Sequence, residues 1–273
     1  MKDNNNIQAI KNHWERGGLN EAILSALRAT GQSLDTLTVD DLAPLDQFHG
    51  GGKRLTVHLA NLAGLKPGMH VLDVGGGVGG AARTLAVEFG CRVTALDLAE
   101  SYIEAGRMLT ALLRLEDRIT FHVGNALELP FDNSQFDVIW TQNSGMNIAD
   151  KERLYSEFYR IVRPGGLLAI QEPMAGPNQP PIFPLMWSRD GTNHFLRTPE
   201  EMQRLIESAG FQMLKWVEVT GQKDSPRATT PPDTIQSLVM GREQLEEIRR
   251  IGERNEAEKR LMMFQGVFRK PFS

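Results

Sequence analysis

One cysteine, Cys91, stands in a chain of 273 residues. A lone thiol closes no internal disulfide and lacks the partners of a zinc site, so neither staple is expected. No apolar run approaches the ~18 residues that a membrane-spanning helix needs. Charge of one sign is also missing. The 30 Lys and Arg against 34 Asp and Glu leave a net −4, whereas a binder of phosphate backbones would show a basic excess. The stretch from Met1 to Trp14 is polar, with Asn4, Asn5 and Asn6. It has neither the apolar core of a signal peptide nor the Arg-rich pattern of a transit peptide. There is no internal repeat and no low-complexity tract. The expectation is a cytoplasmic protein with no nucleic-acid or membrane partner.

What remains is ample for a packed core. Hydrophobic residues make up 41% of the chain, and the length fits one large α/β domain with a helical appendage. Residues 1–45 read as an N-terminal helical cap, with Ile10, Trp14, Leu19, Ile23 and Leu27 at helical spacing and a break at Gly17-Gly18. From residue 46 onward strands alternate with helices, the pattern of a parallel sheet covered on both faces. Strands are predicted at 71–74, 92–96, 119–123, 136–141 and 167–171, with a helix over 152–162 that ends at Arg163-Pro164-Gly165-Gly166. A proline- and aromatic-rich segment, 173–198, reads as an ordered lid. A helix capped by Thr198, a strand at 211–219, a Pro/Thr stretch at 224–233, a charged helix near 241–258 and a strand at 261–269 complete the chain.

The sharpest local signal is VLDVGGGVGG at residues 71–80, five glycines within six positions after a short apolar strand. A strand that turns into a helix beside a ligand needs positive φ and close backbone approach, which glycine permits. The helix start that follows offers free N–H groups to an anionic group. Two patterns fit. Gly75, Gly77 and Gly80 match the dinucleotide motif, and Gly75, Gly77 and Gly79 with Asp73 in front match the S-adenosylmethionine (SAM) motif. Asp97, closing the next strand, suits the ribose of either. Asp73 favours SAM, because a carboxylate inside a strand is costly unless it has a partner. Asn125 and Ala126 after the third strand favour it too: an amide that can accept from an adenine amino group beside a small residue that leaves room for the ring. An NAD(P)-dependent oxidoreductase is the rival on the glycines alone.

Residues 46–172 resemble the class I SAM-dependent methyltransferases. The carriers are VLDVGGGVGG (71–80), VTALDLAES (93–101), GNALELPFDNSQFDVIW (124–140) and EFYRIVRPGG (157–166). LDQFHGGG (45–52) and WTQNSGMN (140–147) are similar to a small-molecule branch that includes sarcosine/dimethylglycine-type enzymes and relatives in specialised metabolism. The resemblance implies a Rossmann-like sheet of seven strands, mostly parallel with the last antiparallel, helices on both faces and an N-terminal helical cap. It implies SAM as cofactor and a methyl group moved to an O, C or N nucleophile of a small molecule, with a homodimer as a further expectation. It places Asp97 on the ribose, Leu98 against adenine, Asn125 on the adenine amino group, and Gln47 and Gln142 beside the cofactor. The chain departs from the branch at Asn143 and Asn147, where an Asp and a His often stand. Those departures leave the acceptor open, and leave room for a SAM-fold binding protein without catalysis.

For the acceptor side, His49 and Glu172 are the candidate base and carboxylate. His49 lies in the glycine turn, and Glu172 follows the fifth strand at its carboxyl end. Asn143, Asn147, Trp187, Arg189 and His194 are candidate substrate contacts. Lys53, Arg54, Arg189 and Arg197 form a candidate anion-binding cluster. Phe183, Trp187 and Phe195 are candidate walls of an apolar pocket, or ordinary lid packing. His13, His58, His70 and His122 read as structural or exposed. No metal site is expected.

Overall fold

The computed structural model describes residues 2–222 and 234–272, so the Pro/Thr stretch at 224–233 lies outside the described residues. Four helices precede the first strand: α1 (Lys2–Trp14), α2 (Leu19–Ala29), α3 (Val39–Asp46) and α4 (Gly52–Ala63). Then come β1 (His70–Val74), α5 (Gly80–Glu88), β2 (Arg92–Asp97), α6 (Glu100–Leu112), β3 (Ile119–Val123) and β4 (Phe136–Gln142). The chain continues through α7 (Lys151–Ile161), β5 (Val162–Ala175), α8 (Pro199–Ser208), β6 (Gln212–Glu218), α9 (Ile235–Met240), α10 (Arg242–Ala257) and β7 (Leu261–Arg269).

The strands form one seven-stranded sheet in the order β3-β2-β1-β4-β5-β7-β6. β1 to β5 pair in parallel, and β7 runs antiparallel to both β5 and β6. This is the expected mixed sheet with a reversed last strand. Alternating side chains divide each central strand between two cores. Val71, Val93, Val138 and Ala169 face Leu59 of α4 and Leu85 of α5. Leu72, Leu96, Ile139 and Leu168 face Phe158 of α7 and Ile206 of α8. Both phases must therefore be apolar, which is why these strands read as continuous apolar runs.

Strand β5 is longer than predicted. It takes in Arg163–Gly166 and stays paired with β7 as far as Ala175 opposite Leu261. Pro173 and Met174, at the start of the predicted lid, are thus strand residues. On the N-terminal side, α3 ends at Asp46, and Leu19, Ile23, Leu27 and Leu42 share a core with Tyr102 and Leu109 of α6 and Val239 of α9. The strand order reverses direction between β1 and β4, and at such a point the carboxyl ends of the strands open a crevice.

Candidate active site

Gly75, Gly77 and Gly79 all have positive φ, at +72°, +55° and +83°. Gly75, Gly76, Gly77 and Gly80 line a cavity at the carboxyl ends of β1 and β2, but Gly79 does not. It is glycine for packing, since a Cβ there would sit 2.7 Å from the Phe121 ring.

Asp73 is buried in this cavity, and its Oδ2 has no hydrogen-bond partner among the described residues. Burial first, and the charge of Asp97 second, push its carboxyl up to about 7. A buried atom of this kind calls for a ligand. Asp97 Oδ2 accepts from the Gly77 N–H at 2.9 Å and Oδ1 from the Ala99 N–H at 2.9 Å. Burial raises its carboxyl as well. Tyr102 lines the same space with a hydroxyl that also lacks a partner. Leu98, Asn125 and Ala126 close the far end. Asn125 Oδ1 accepts from the Leu127 N–H at 3.0 Å, which leaves one lone pair for a ligand. Ile7, Ile10 and Trp14 of α1 roof the cavity. The roof is fastened at its end, where Glu15 accepts from the N–H groups of Glu100 and Ser101 and His13 Nε2 lies 3.0 Å from the Met186 carbonyl.

Beneath the cavity runs a buried chain of amides. The Leu55 carbonyl can only accept, so it fixes Gln265 Nε2 as the donor at 2.8 Å. That nitrogen also donates to Gln171 Oε1 at 2.7 Å, as does Gln142 Nε2 at 3.2 Å. Gln171 Nε2 must then donate, to Asn143 Oδ1 and to His49 Nδ1, each at 3.3 Å. His49 Nε2 lies 3.1 Å from Gln47 Oε1. These contacts specify an imidazole protonated on Nε2. The Gly50 carbonyl, 3.3 Å from Nδ1, favours the opposite tautomer. The amide chain decides, because its polarity is anchored at Leu55. Burial lowers His49 to about 4, so the ring is neutral near pH 7. Gln47 and Gln142 line the cavity, yet Thr84 and Thr56 hold the amide of Gln47, and Trp140 and Thr56 hold the oxygen of Gln142. Gln171, Gln265 and Thr56 carry no motif, and sequence reasoning passed over them.

Several acceptor-side candidates have other roles. Glu172 lines neither this cavity nor the chamber beside it. Its Oε1 accepts from the Gly145 N–H at 2.9 Å and the Ser144 N–H at 3.3 Å. Lys151 donates to the carbonyls of Gly145 and Ile148 at 2.6 and 3.0 Å, and burial lowers its ammonium to about 8. The pair sets the turn after β4, on which Asn143 stands at φ +55°. Glu172 thus positions this turn through Oε1, while its Oε2 is buried with no hydrogen-bond partner among the described residues. Asn147 lines the first cavity at 4% exposure, and both N–H groups of its amide are engaged. Oδ1 accepts from Trp14 Nε1, and Nδ2 donates to the carbonyls of Trp187 and Asn193. It ties roof to lid, and no donor is left for a substrate. His194 stacks on Trp187 and accepts from its Nε1 at 3.3 Å. Arg189 is exposed and donates to Gln244. Lys53 pairs with Asp40 and Glu88. Neither His194 nor Arg189 lines this cavity or the chamber beside it.

Asn143 and Trp187 do face a second chamber, of about 540 Å³. Trp14, Gln47, Phe48, His49 and Asn143 line both spaces and form the neck between them.

A glycine turn at the reversal of a doubly wound sheet, with one buried and one half-buried carboxylate near the ends of two neighbouring strands, defines a nucleotide-cofactor domain. Comparison narrows the class. Residues 72–170 match the family described as a methyltransferase domain. The chain is 34% identical over 132 residues to the glycine/sarcosine/dimethylglycine N-methyltransferase of Actinopolyspora halophila, covering 48% of this chain and 23% of that protein. It is 30% identical over 185 residues to the methyltransferase GfsG of Streptomyces halstedii, covering 67% of this chain and 66% of that one. It thus spans less than two thirds of the length of either curated relative. A structure of geranyl diphosphate C-methyltransferase from Streptomyces coelicolor A3(2) superposes with a TM-score of 0.69 at 19% identity, over 97% of this chain and 98% of that one. Residues 72–170 thus carry a methyltransferase domain, and SAM is the cofactor that goes with it. The site fits it: an unpartnered carboxylate for an ammonium, a second for ribose hydroxyls, and an open amide lone pair at the adenine end.

Proposed function

We propose that this chain transfers the methyl group of SAM to an O, C or N nucleophile of a small-molecule acceptor. The observation that carries the reading is the pair of adjoining spaces. One is built around Asp73 and Asp97, the other is larger, and they meet at a neck of five side chains. In this reading residues 46–273 are the catalytic domain, 1–45 its cap, and the segment after β5 its lid. Asp73 holds the α-ammonium of the methionine part, Asp97 the ribose hydroxyls, and Asn125 the adenine amino group, with Leu98 and Ala126 flanking the ring. Gly75 and Gly77 let the backbone approach. A cytoplasmic homodimer without a nucleic-acid partner completes the reading.

When bound, SAM supplies a methyl group on a cationic sulfur. The protein supplies alignment and a dry neck, and displacement at a carbon whose leaving sulfur loses its charge gains from both. Trp14 and Phe48 keep water from the neck. His49 orients the acceptor rather than taking its proton. Its Nδ1 is occupied by Gln171, and burial makes the ring a weak base. An amine needs no base in the transfer step; a hydroxyl gains from one.

Calorimetric titration with SAM, S-adenosylhomocysteine and NADH tests the reading. The first two should bind and the third should not; failure of both sulfur ligands overturns it. Asp97→Ala should weaken SAM by about 1–3 kcal/mol, the cost of a lost charged acceptor. Unchanged affinity would move the ribose elsewhere.

A further inference from the structure

The second chamber has a chemistry of its own. Phe48, Met146, Leu185, Met186, Met262 and Met263 line it, brought together from the glycine turn, the turn after β4, the lid and β7. Its volume of about 540 Å³ falls in the range of small-molecule sites, roughly 300–1,000 Å³. Methionine thioethers are flexible and polarizable, and they wrap irregular apolar shapes.

Among the described residues, charge on the chamber wall is confined to one edge. Among the described residues that line the chamber, the acids are Glu253 and Glu256 and the strong base is Arg249, all on α10. Both glutamates already interact with other residues. The neck itself is neutral: Trp14, Gln47, Phe48, Asn143 and an uncharged His49. A cationic acceptor at this neck would meet the sulfonium with no carboxylate between them. A diphosphate would meet one arginine with two glutamates on the same helix. No group of three or more His, Cys, Asp or Glu able to hold a metal occurs among the described residues.

Resting on the methyl-transfer reading, we infer that this chamber is the acceptor site and selects uncharged, largely apolar molecules. Such a molecule buries its hydrocarbon against the methionines and presents one nucleophilic atom at the His49–Asn143 neck. Burial of that hydrocarbon drives the binding, and the polar neck sets which end reacts.

The test is a titration of the neutral dye Nile red into wild-type protein saturated with S-adenosylhomocysteine, followed by its fluorescence shift. One dye should bind per chain. Geraniol and decanol should displace it, and sarcosine and geranyl diphosphate should not. Met262→Glu and Met263→Glu, both on β7, should each weaken the dye by about tenfold or more, since each buries a charge. S-adenosylhomocysteine affinity should stay within about twofold, because neither residue lines the cofactor cavity. Absence of dye binding, or displacement by sarcosine or geranyl diphosphate in preference to geraniol, overturns the inference. If a variant fails to fold, the wild-type displacement series decides alone. Failure of S-adenosylhomocysteine to bind the wild type strikes at the methyltransferase reading instead.

Discussion

Asp73 shows how much one buried carboxyl can govern. Its value rises from 3.8 to about 7, first through burial and then through Asp97. Between those limits the folded chain keeps a proton that the unfolded chain has released. Stability of the ligand-free protein therefore falls as pH rises through that window. SAM, bringing an ammonium to the same carboxyl, should expel the proton. Its affinity should climb from pH 5.5 to 7, approaching about tenfold per unit, and then level off. Calorimetry in two buffers of different ionisation heat would detect the released proton, and Asp73→Asn should abolish both release and slope. A flat profile in the wild type would separate Asp73 from the ammonium. Asp73, Asp97 and the glycines were legible in the sequence because each constraint is local: a backbone turn, or a charge inside an apolar strand. Gln171 was not. Its partners, His49, Asn143, Gln142 and Gln265, lie up to 122 residues away, and an amide reads as ordinary until the sheet brings it to them. Asn147 and Glu172 were noticed for their positions, but their roles depend on backbone atoms that no motif records.

At the scale of elements, the joint between α3 and α5 carries a similar lesson. Arg83 of α5 and Asp46 at the end of α3 form a salt bridge of 2.9 Å, and both side chains are fully buried. The same guanidinium donates to the Val78 carbonyl and to Thr110 Oγ1. Arg83→Ala leaves Asp46 without its ion-pair partner in the core, where burial already raises its carboxyl. The expected cost is about 3–5 kcal/mol of folding stability, measured by denaturant unfolding. A loss below 1 kcal/mol would mean that water replaces the arginine. The elements themselves were largely readable, since strands of continuous apolar character and a capped helix at Thr198 follow from local chemistry. The length of β5 was not. Proline and two glycines at 164–166 signal a loop; the register with β4 is interrupted there, between Val162 and Leu167, and Gly165 takes positive φ, but hydrogen bonds of Gly165 and Gly166 with Lys270 hold the segment to the sheet.

On the scale of the whole molecule, the sheet supplies a rigid floor and the N-terminal and lid segments supply the walls. The roof helix α1 has a consequence for timing. Ile7, Ile10 and Trp14 close over the cofactor, and Trp14 and His13 fasten that roof to the Asn147 turn and the lid. In the proposed reading, spent cofactor leaves by parting these links, and release is expected to be a separate event slower than transfer. In rapid-quench measurements the first methyl per chain should appear as a burst, with a slower steady rate behind it. Trp14→Ala should raise the steady rate toward the burst while loosening the cofactor. A linear trace from the first turnover would place the slow step in the transfer itself. With release slow, S-adenosylhomocysteine becomes a strong product inhibitor, and throughput in a cell follows how fast that product is removed.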